Sequence, residues 1–192
     1  MKNLSVKSMV RLAIFTVIFY LVIRISSMVS LIPGVYPFTA AITLIPLGIV
    51  WVYLRKKLPL KGSIFIQGVL LTILTLLGGS PYFLGIGMFI ACLLAEFLTF
   101  RNKDDVNDKN IRNGYIAFGL VHHTSSYILM LVAKDYYISY INKIGMPLEQ
   151  VTKFVNMVSW PMFLIGLVLA IICAYIGFNL GKKIVDRSFK GS

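Results

Sequence analysis

The sequence has little charge and almost no cysteine. Only 14% of its 192 residues are charged, whereas about 25% of the residues of soluble domains are. The two cysteines, Cys92 and Cys173, lie inside apolar stretches and therefore do not indicate a disulfide framework. The sequence also lacks a P-loop, an HExxH motif and any convincing carboxylate pair or Ser/His/Asp set. These absences argue against an ATPase, a zinc hydrolase and a triad hydrolase.

Long apolar stretches dominate what is present. Hydrophobic residues make up 58% of the chain, and they form six blocks of about 20 residues, the length of helix that crosses a ~30 Å hydrocarbon core. The blocks cover residues 10–31, 36–54, 63–77, 82–100, 113–133 and 160–184. We therefore predict an all-α membrane protein with six transmembrane helices, built as a single integral membrane domain over residues 1–192.

The N-terminal block has some features of a secretory signal peptide. Lys2, Lys7 and Arg11 precede an apolar run, as they would in such a peptide. The run continues past Arg24, however, and no small-residue cleavage site follows it. We therefore predict a retained first transmembrane helix, with a break at Pro33 and Gly34 before the second.

The net charge of +12 is concentrated in alternate connecting segments. Of the 19 Lys and Arg residues, 15 lie in the N-terminus, the second and fourth connections and the C-terminal tail, with Arg55 and Lys103 among them. Only three, Lys134, Lys143 and Lys153, lie between the fifth and sixth helices. Positive charge accumulates in the cytoplasmic loops of membrane proteins. The distribution predicts that both termini are cytoplasmic, and it accounts for the basic composition without nucleic-acid binding.

The segment between the fifth and sixth helices differs from the short uncharged turns on the same side. Residues 135–140 contain three tyrosines, and Gly145 and Pro147 then interrupt the chain. Residues 148–158 carry apolar side chains at helical spacing and form a short amphipathic helix in our interpretation. Tyrosines and amphipathic helices favour the membrane interface. We expect this segment to lie on the outer surface, where it would cap a pocket.

Two charged residues of the predicted spans lie outside the terminal basic clusters and need an explanation, because charge in a bilayer is costly. Arg24 lies about two turns from the outer end of the first helix. Snorkelling to the interface, an anion contact in an outward-facing cavity and a structural ion pair are all compatible with that position. Glu96 lies near the cytoplasmic end of the fourth helix, and we expect an ion pair, with Arg101 nearby, or a contact with a partner protein.

His122 and His123 lie near the middle of the fifth helix, followed by the polar run 124–127. Adjacent helical residues point about 100° apart, so the two histidines do not chelate one metal in the usual i, i+4 manner. Two alternatives remain: a histidine lines a ligand cavity, or a histidine forms a hydrogen bond to another helix. The polar run indicates that this helix faces protein or water over much of its circumference.

Four stretches of the chain, in this order and spacing, resemble a known family. They are LSVK at 4–7 leading into LAIFT at 12–16, LLAEF at 93–97, KDYY at 134–137, and GKK at 181–183 with FK at 189–190. Together with the small, basic, six-helix pattern, they resemble the substrate-binding S components of energy-coupling factor (ECF) transporters. The detailed pattern is similar to the branch called Trep_Strep or MptD-like, over nearly the whole chain.

The resemblance implies a non-enzymatic role in uptake, without a cofactor. An S component binds a vitamin-like or other micronutrient at the outer face and delivers it through a transmembrane coupling protein powered by two ATPase subunits. S components use small residues on the first helix to dock on that protein. Here Ala13 matches the first position of the AxxxA docking pattern, whereas Val17 occupies the second.

The resemblance also implies a pocket in the outer halves of helices 4 to 6 and the loops near helices 1 and 5. A mid-bilayer histidine with Met130 and several tyrosines would also permit a haem or metal-chelate ligand. An intramembrane enzyme using His122 or His123 and an assembly factor without a ligand remain alternatives. The predicted substrate-binding residues are Arg24, Tyr36, Tyr82, His123, Tyr127, Tyr137, Asn156 and Trp160.

Overall fold

The computed structural model describes residues 5–32, 34–101 and 107–190, and within these ranges the chain contains helices but no strand. Its α-helices are α1 (Val6–Ser27), α2 (Thr39–Lys57), α3 (Ser63–Leu77), α4 (Tyr82–Thr99), α5 (Asp108–Val132), α6 (Lys134–Lys143), α7 (Leu148–Asn156) and α8 (Trp160–Lys190). Short 3₁₀ turns, Met28–Leu31 and Tyr36–Phe38, connect α1 to α2. The predicted break at Pro33 and the cations Lys2 and Lys103 lie outside the described residues. The predicted all-α class is confirmed.

Five of the described helical segments are long and apolar enough to cross a membrane. They are Val6–Leu31, Tyr36–Lys57, Tyr82–Thr99, Asp108–Val132 and Trp160–Ser188. The predicted third span forms α3, but its 15 residues rise only about 22 Å, less than the ~30 Å core. Six spans and the orientation therefore stay predictions. The predicted amphipathic segment before the last span forms α6 and α7.

Two helices extend further than the apolar pattern predicted. α5 begins at Asp108, within the polar segment that we had expected to be a loop up to residue 112. The Asn107 side chain caps its first turn by accepting a hydrogen bond from the Asn110 amide (2.9 Å). α8 continues past residue 184 and places Asp186 in an ion pair with Lys56 of α2, and Lys182, just before that point, pairs with Asp108 of α5. Charge pairing between helix ends accompanies both extensions, and a hydrophobic pattern does not reveal such pairing.

The helices pack as a closed ring in the order α1, α2, α8, α5, α4, α3, with α2 also touching α5 across it. An aromatic cluster fills the centre, where Trp51 and Tyr115 lie 5.3 Å apart between ring centroids. The Trp51 indole donates to the Ile111 carbonyl at 3.2 Å, and the Tyr115 hydroxyl donates to the Leu44 carbonyl. These bonds satisfy buried polar atoms and fix the position of α5 against α2.

Glycines permit the close crossing of α2 and α8. A Cβ at Gly48 would lie 2.2 Å from the Gly177 carbonyl carbon, and one at Gly181 would lie 2.5 Å from the Gly48 oxygen. Small residues at such crossings let helix backbones approach within van der Waals contact, which is how helices associate where apolar burial contributes little.

Arg55 and Glu96 have roles that differ from the sequence prediction. Arg55, which we had counted among the loop cations, is fully buried in the last turn of α2. It donates to the Ser63 hydroxyl (2.8 Å) and to the Gln67 side-chain oxygen (2.6 Å). The Glu96 carboxylate, instead of pairing with Arg101, accepts hydrogen bonds from the α3 N-terminal amides, including those of residues 62 and 64 (2.5 and 2.9 Å). It thereby supplies the cap that the glycine at position 62 cannot.

Candidate ligand-binding site

A cavity of about 210 Å³ opens at one end of the ring, beside the turn of residues 78–81 and helix α6. We call this end the pocket end and the opposite end, which carries Lys56, Asp108 and Lys182, the basic end. Residues from α1 to α6 line the cavity, and many of them are polar. Its hydroxyl-bearing residues are Tyr20, Ser27, Ser30, Tyr36, Thr39, Thr43, Thr75, Ser80, Ser126, Tyr127 and Tyr137.

A second, more open cleft of about 570 Å³ lies between this cavity and helices α6 and α7. The two spaces share Ser30, Tyr36, Leu84 and Tyr137 as lining residues. The inner cavity is smaller than the ~300–1,000 Å³ usual for ligand sites, and the two together fall within it. The segment α6–α7 therefore forms one wall of the route to the inner cavity, in agreement with the predicted capping position.

Tyr36 is held rigidly at the boundary of the two spaces. The Tyr127 hydroxyl donates to the Tyr36 carbonyl at 2.6 Å, and the Tyr36 hydroxyl donates to the Met130 sulfur at 3.7 Å. The Tyr36 ring stacks on Phe154 of α7 with centroids 4.6 Å apart. Burial raises the pKa of the neighbouring Tyr137 phenol, so this ring is a neutral hydrogen-bonding group at physiological pH.

Arg24 places a positive charge at the cavity. Its guanidinium donates to the Gly78 carbonyl (3.0 Å) and to the Ser80 hydroxyl (3.3 Å), and it lies 5.8 Å from the Tyr20 ring centroid. Both acceptors are neutral, and no carboxylate within the described ranges forms an ion pair with it. The structural ion pair is therefore not formed, and the charge remains available to a ligand or to water.

The two histidines have different environments. His122 lines the cavity and stacks on Phe118 at 5.8 Å. His123 is fully buried on the side facing α8, with Nε2 3.3 Å from the Phe163 carbonyl oxygen. A Cβ at Gly166 would lie 2.3 Å from its ring. We had assigned the ligand contact to His123, whereas the cavity is lined by His122, because the helix's rotation about its axis decides which neighbour faces inward.

Tyr82, Asn156 and Trp160 line neither of the two spaces. The Tyr82 and Tyr136 hydroxyls hydrogen-bond to each other on the surface (2.5 Å). The Asn156 side chain accepts a hydrogen bond from Lys134 (2.9 Å), and Trp160 begins α8 with half of its surface exposed. The structure brings together Arg24, Tyr36, Tyr127 and Tyr137 from the predicted set.

Sequence reasoning missed the serines and threonines of the cavity as site residues, and it missed Tyr20. Tyr20, Arg24 and Ser27 recur at helical spacing on one face of α1, as Thr39 and Thr43 do on α2. A search for small polar residues three to four positions apart within the apolar blocks would have found both rows. We had considered Ser126 only as part of the polar run 124–127, and our predicted site residues were all larger side chains.

The predicted docking residues Ala13 and Val17 are exposed on α1. Leu12, Thr16 and Phe19 form the opposite, buried face of the same helix. In the described part of the protein no other segment covers this exposed face, so it can contact lipid or another protein.

The family comparison accounts for nearly the entire chain. A model described as "hypothetical bacterial integral membrane protein (Trep_Strep)" matches residues 6–190. The chain belongs to the Trep_Strep family. This is the ECF S-component-like family, so the predicted resemblance is confirmed. No curated protein and no solved structure matches the chain. Membership and the apolar helices together establish a multi-pass protein of the bacterial plasma membrane.

Proposed function

We propose that this Trep_Strep protein is the substrate-binding subunit of an ECF-type importer. The observation that carries the proposal is the cavity itself, a tyrosine-walled space with hydroxyl groups and one arginine at one end of an otherwise apolar ring of helices. Several of the hydroxyls donate to carbonyls of their own helices, but an arginine at membrane depth is costly unless it contacts polar groups, a ligand or water, and the contacts of Arg24 occupy only part of its donors. A vitamin-like micronutrient, captured at the outer face, fits this combination of apolar walls and a few orienting polar groups.

The proposal includes six spans with both termini in the cytoplasm. Lys56, Lys57, Arg112 and Lys182 lie towards the basic end, whereas the pocket end carries few cations. Under the positive-inside rule this distribution turns the pocket outward. α3 is short for a span, and a short helix is accommodated by local thinning of the bilayer at a modest cost in free energy.

Docking on a coupling protein with two ATPase subunits would use α1. This helix is the least buried of the five long apolar segments in the described part of the chain. Its exposed face includes Ala13, Val17 and Leu21. Exposed small and apolar residues permit close contact with a partner helix in a membrane.

The test is native mass spectrometry of the protein purified from its own cells in mild detergent. We expect a retained small molecule, co-purifying coupling and ATPase subunits, or both. A Ser126→Leu variant, which fills the cavity, should lose the small molecule. Ser139→Leu, on the exposed surface of α6, is the matched control and should keep it.

A wild-type protein that carries neither a small molecule nor the subunits would contradict the proposal. It would favour an intramembrane enzyme or an assembly factor. Because His122 lines the cavity, the enzyme alternative predicts chemical turnover that is lost with that side chain, and the binding proposal predicts only weaker retention.

A further inference from the structure

Resting on the proposed function, we infer that the substrate is a small anion with a planar ring, whose acidic group binds Arg24 and whose ring lies among Tyr36, Tyr127 and Tyr137. The inference concerns only the chemical class of the ligand. It depends on four properties of the inner cavity: the sign of its charge, the free donors of its arginine, the arrangement of its aromatic walls and its volume.

The charge lining the cavity has one sign. Arg24 is its single charged lining residue, and no carboxylate is among the described residues around it. A cationic substrate would meet this charge without a compensating carboxylate, and an anion would be attracted. The acidic residues in the described part of the chain lie elsewhere, at positions 96, 108, 135, 149 and 186.

The guanidinium keeps donors free for a ligand. An arginine side chain has five N–H groups in a planar fork, and Arg24 uses two nitrogens on the Gly78 carbonyl and the Ser80 hydroxyl. These neutral acceptors orient the fork without neutralising it. A carboxylate or phosphate can therefore accept charge-assisted hydrogen bonds in the bidentate geometry that favours arginine. An arginine side chain that only extended to the membrane interface would not require the hydrogen bonds that Arg24 makes with the turn of residues 78–81.

The walls favour a flat ring. Tyr36, Tyr127, Tyr137 and Phe83 line the cavity, and the Tyr36 and Tyr127 rings meet edge to face with centroids 5.8 Å apart. Because Tyr127 is hydrogen-bonded to the backbone of Tyr36, these rings are fixed before a ligand arrives, which lowers the entropy cost of binding. Fixed aromatic walls stabilise a stacked or edge-on ring.

The volume limits the size of the ring, and the remaining polar groups provide orientation. The inner cavity of about 210 Å³ is below the ~300–1,000 Å³ that holds drug-sized ligands. His122, Thr43 and Ser126 also line it. The Thr43 and Ser126 hydroxyls donate to the Thr39 and His122 carbonyls (2.9 and 2.8 Å) and can still accept a hydrogen bond, and the His122 imidazole can donate one. A small ring with polar substituents fits these groups better than a hydrocarbon does.

The experiment uses the cells' own small molecules. A metabolite extract of the source cells is separated at pH 7 into fractions retained by an anion exchanger, retained by a cation exchanger and retained by neither. Each fraction is added to the purified full-length protein, and its melting temperature in detergent is measured. We expect stabilisation by an anion-exchanger fraction, by a compound that absorbs in the near ultraviolet.

Two variants link that stabilisation to the proposed contact. Arg24→Gln should weaken the affinity for the active fraction about ten- to hundred-fold, the usual effect of losing hydrogen bonds to a charged group. Arg11→Gln removes a charge from the other end of the same helix and should bind as the wild type does. If Arg24→Gln does not fold, Arg24→Lys, which keeps the charge but not the fork, should fold and still bind more weakly.

The outcomes separate this inference from the proposed function. Three results would contradict an anionic substrate with a ring but not the proposed binding function. They are stabilisation by the cation-exchanger or unretained fraction, stabilisation by a non-aromatic compound, and equal stabilisation of the Arg24 and Arg11 variants. Stabilisation by no fraction would overturn the binding function as well.

Discussion

At the scale of single residues, the position of a side chain around its helix decides its role. His122 and His123 are adjacent in sequence and chemically identical, yet one lines the cavity and the other is packed against the backbone of α8. Arg24 and Arg55 are both arginines within apolar helices. The first faces the cavity with spare donors, and the second is fully buried with Ser63 and Gln67 as partners.

The two histidines should therefore respond differently to substitution. His122→Ala should reduce ligand affinity about tenfold, because it removes one hydrogen-bonding group from the cavity, and should lower the melting temperature less than His123→Ala does, because its ring borders the cavity. His123→Ala should lower the melting temperature, because it removes the stack on Phe163 and leaves a void beside Gly166. Ligand titration and thermal unfolding in detergent, applied to both variants, measure the two effects. The reverse assignment of effects would show that His123 is the ligand contact.

At the scale of helices, glycine crossings, helix caps and charged ends specify how the apolar helices pack against one another. α2 and α8 approach at Gly48 and Gly177 so closely that any side chain would meet backbone. At the basic end, Lys56 of α2 pairs with Asp186 of α8 at 2.5 Å, and Lys182 of α8 pairs with Asp108 of α5 at 2.5 Å. These contacts hold the three helices in register.

Gly177→Leu should destabilise the protein strongly. The new Cβ would lie 2.3 Å from the Leu44 carbonyl oxygen, and backbone cannot move aside as a flexible side chain can, so the cost should reach or exceed the usual ~1–3 kcal/mol of overpacking. Thermal unfolding in detergent measures it. The neighbouring Ile176→Leu, on the exposed side of α8, is the matched control and should melt as the wild type does. Equal melting temperatures for the two variants would show that the crossing tolerates separation.

Glu96→Gln should loosen the start of α3. The carboxylate accepts hydrogen bonds from the amides of Gly62, Ile64 and Phe65, and a neutral amide replaces these charge-assisted bonds poorly. We expect a loss of about 1 kcal/mol, in line with other helix caps, and faster hydrogen exchange at residues 62–65. Glu149→Gln, on the exposed first turn of α7, should leave that exchange unchanged. Unaltered exchange in the Glu96 variant would indicate that the cap contributes little.

At the scale of the whole molecule, the exposed surface is apolar along the middle of the helices. Ile14, Leu21, Leu164 and Val168 are each between 50% and 58% exposed. Such a surface suits the hydrocarbon core of a bilayer, because the apolar side chains contact lipid there and not water. The two ends of the ring differ, since one carries most of the cations and the other carries the cavity and α6–α7.

The orientation is testable by cysteine labelling in intact cells. Cys92 and Cys173 are buried, so they should react slowly with a membrane-impermeant maleimide. Ser139→Cys on α6 should be labelled from outside, because the few cations at that end place it outward. Ser188→Cys near the end of α8 should be labelled only after permeabilisation. Labelling of Ser188→Cys alone in intact cells would invert the proposed topology.

A bulky residue on the exposed face of α1 should separate binding from coupling. Ala13→Trp should reduce co-purification of the coupling protein, since it blocks close helix contact, and should leave ligand retention unchanged. Ile165→Trp on the exposed face of α8 should affect neither. Normal co-purification with Ala13→Trp would exclude this part of α1 from the docking surface.

The sequence by itself determined the membrane class and the approximate location of each helix. A bilayer requires about 20 apolar residues per span, so this information is local and needs no partner. The sequence also predicted the tyrosine-rich segment before the last helix, because Gly145 and Pro147 interrupt it and its apolar residues recur at helical spacing. Arg24, Tyr36, Tyr127 and Tyr137 were recognisable as costly or amphipathic groups in such a chain.

Only the tertiary structure decided which side chains meet. The rotation of α5 turned His122 rather than His123 into the cavity, and the fold of α8 left Trp160 on the surface. Arg55 looked like a loop cation until the packing of α2 on α3 buried it, and Glu96 found its partners 31 to 34 residues away. These contacts depend on helix rotation and on distant segments. Hydrophobic spacing fixes where a helix runs along the chain, and it does not fix which neighbour each of its faces touches.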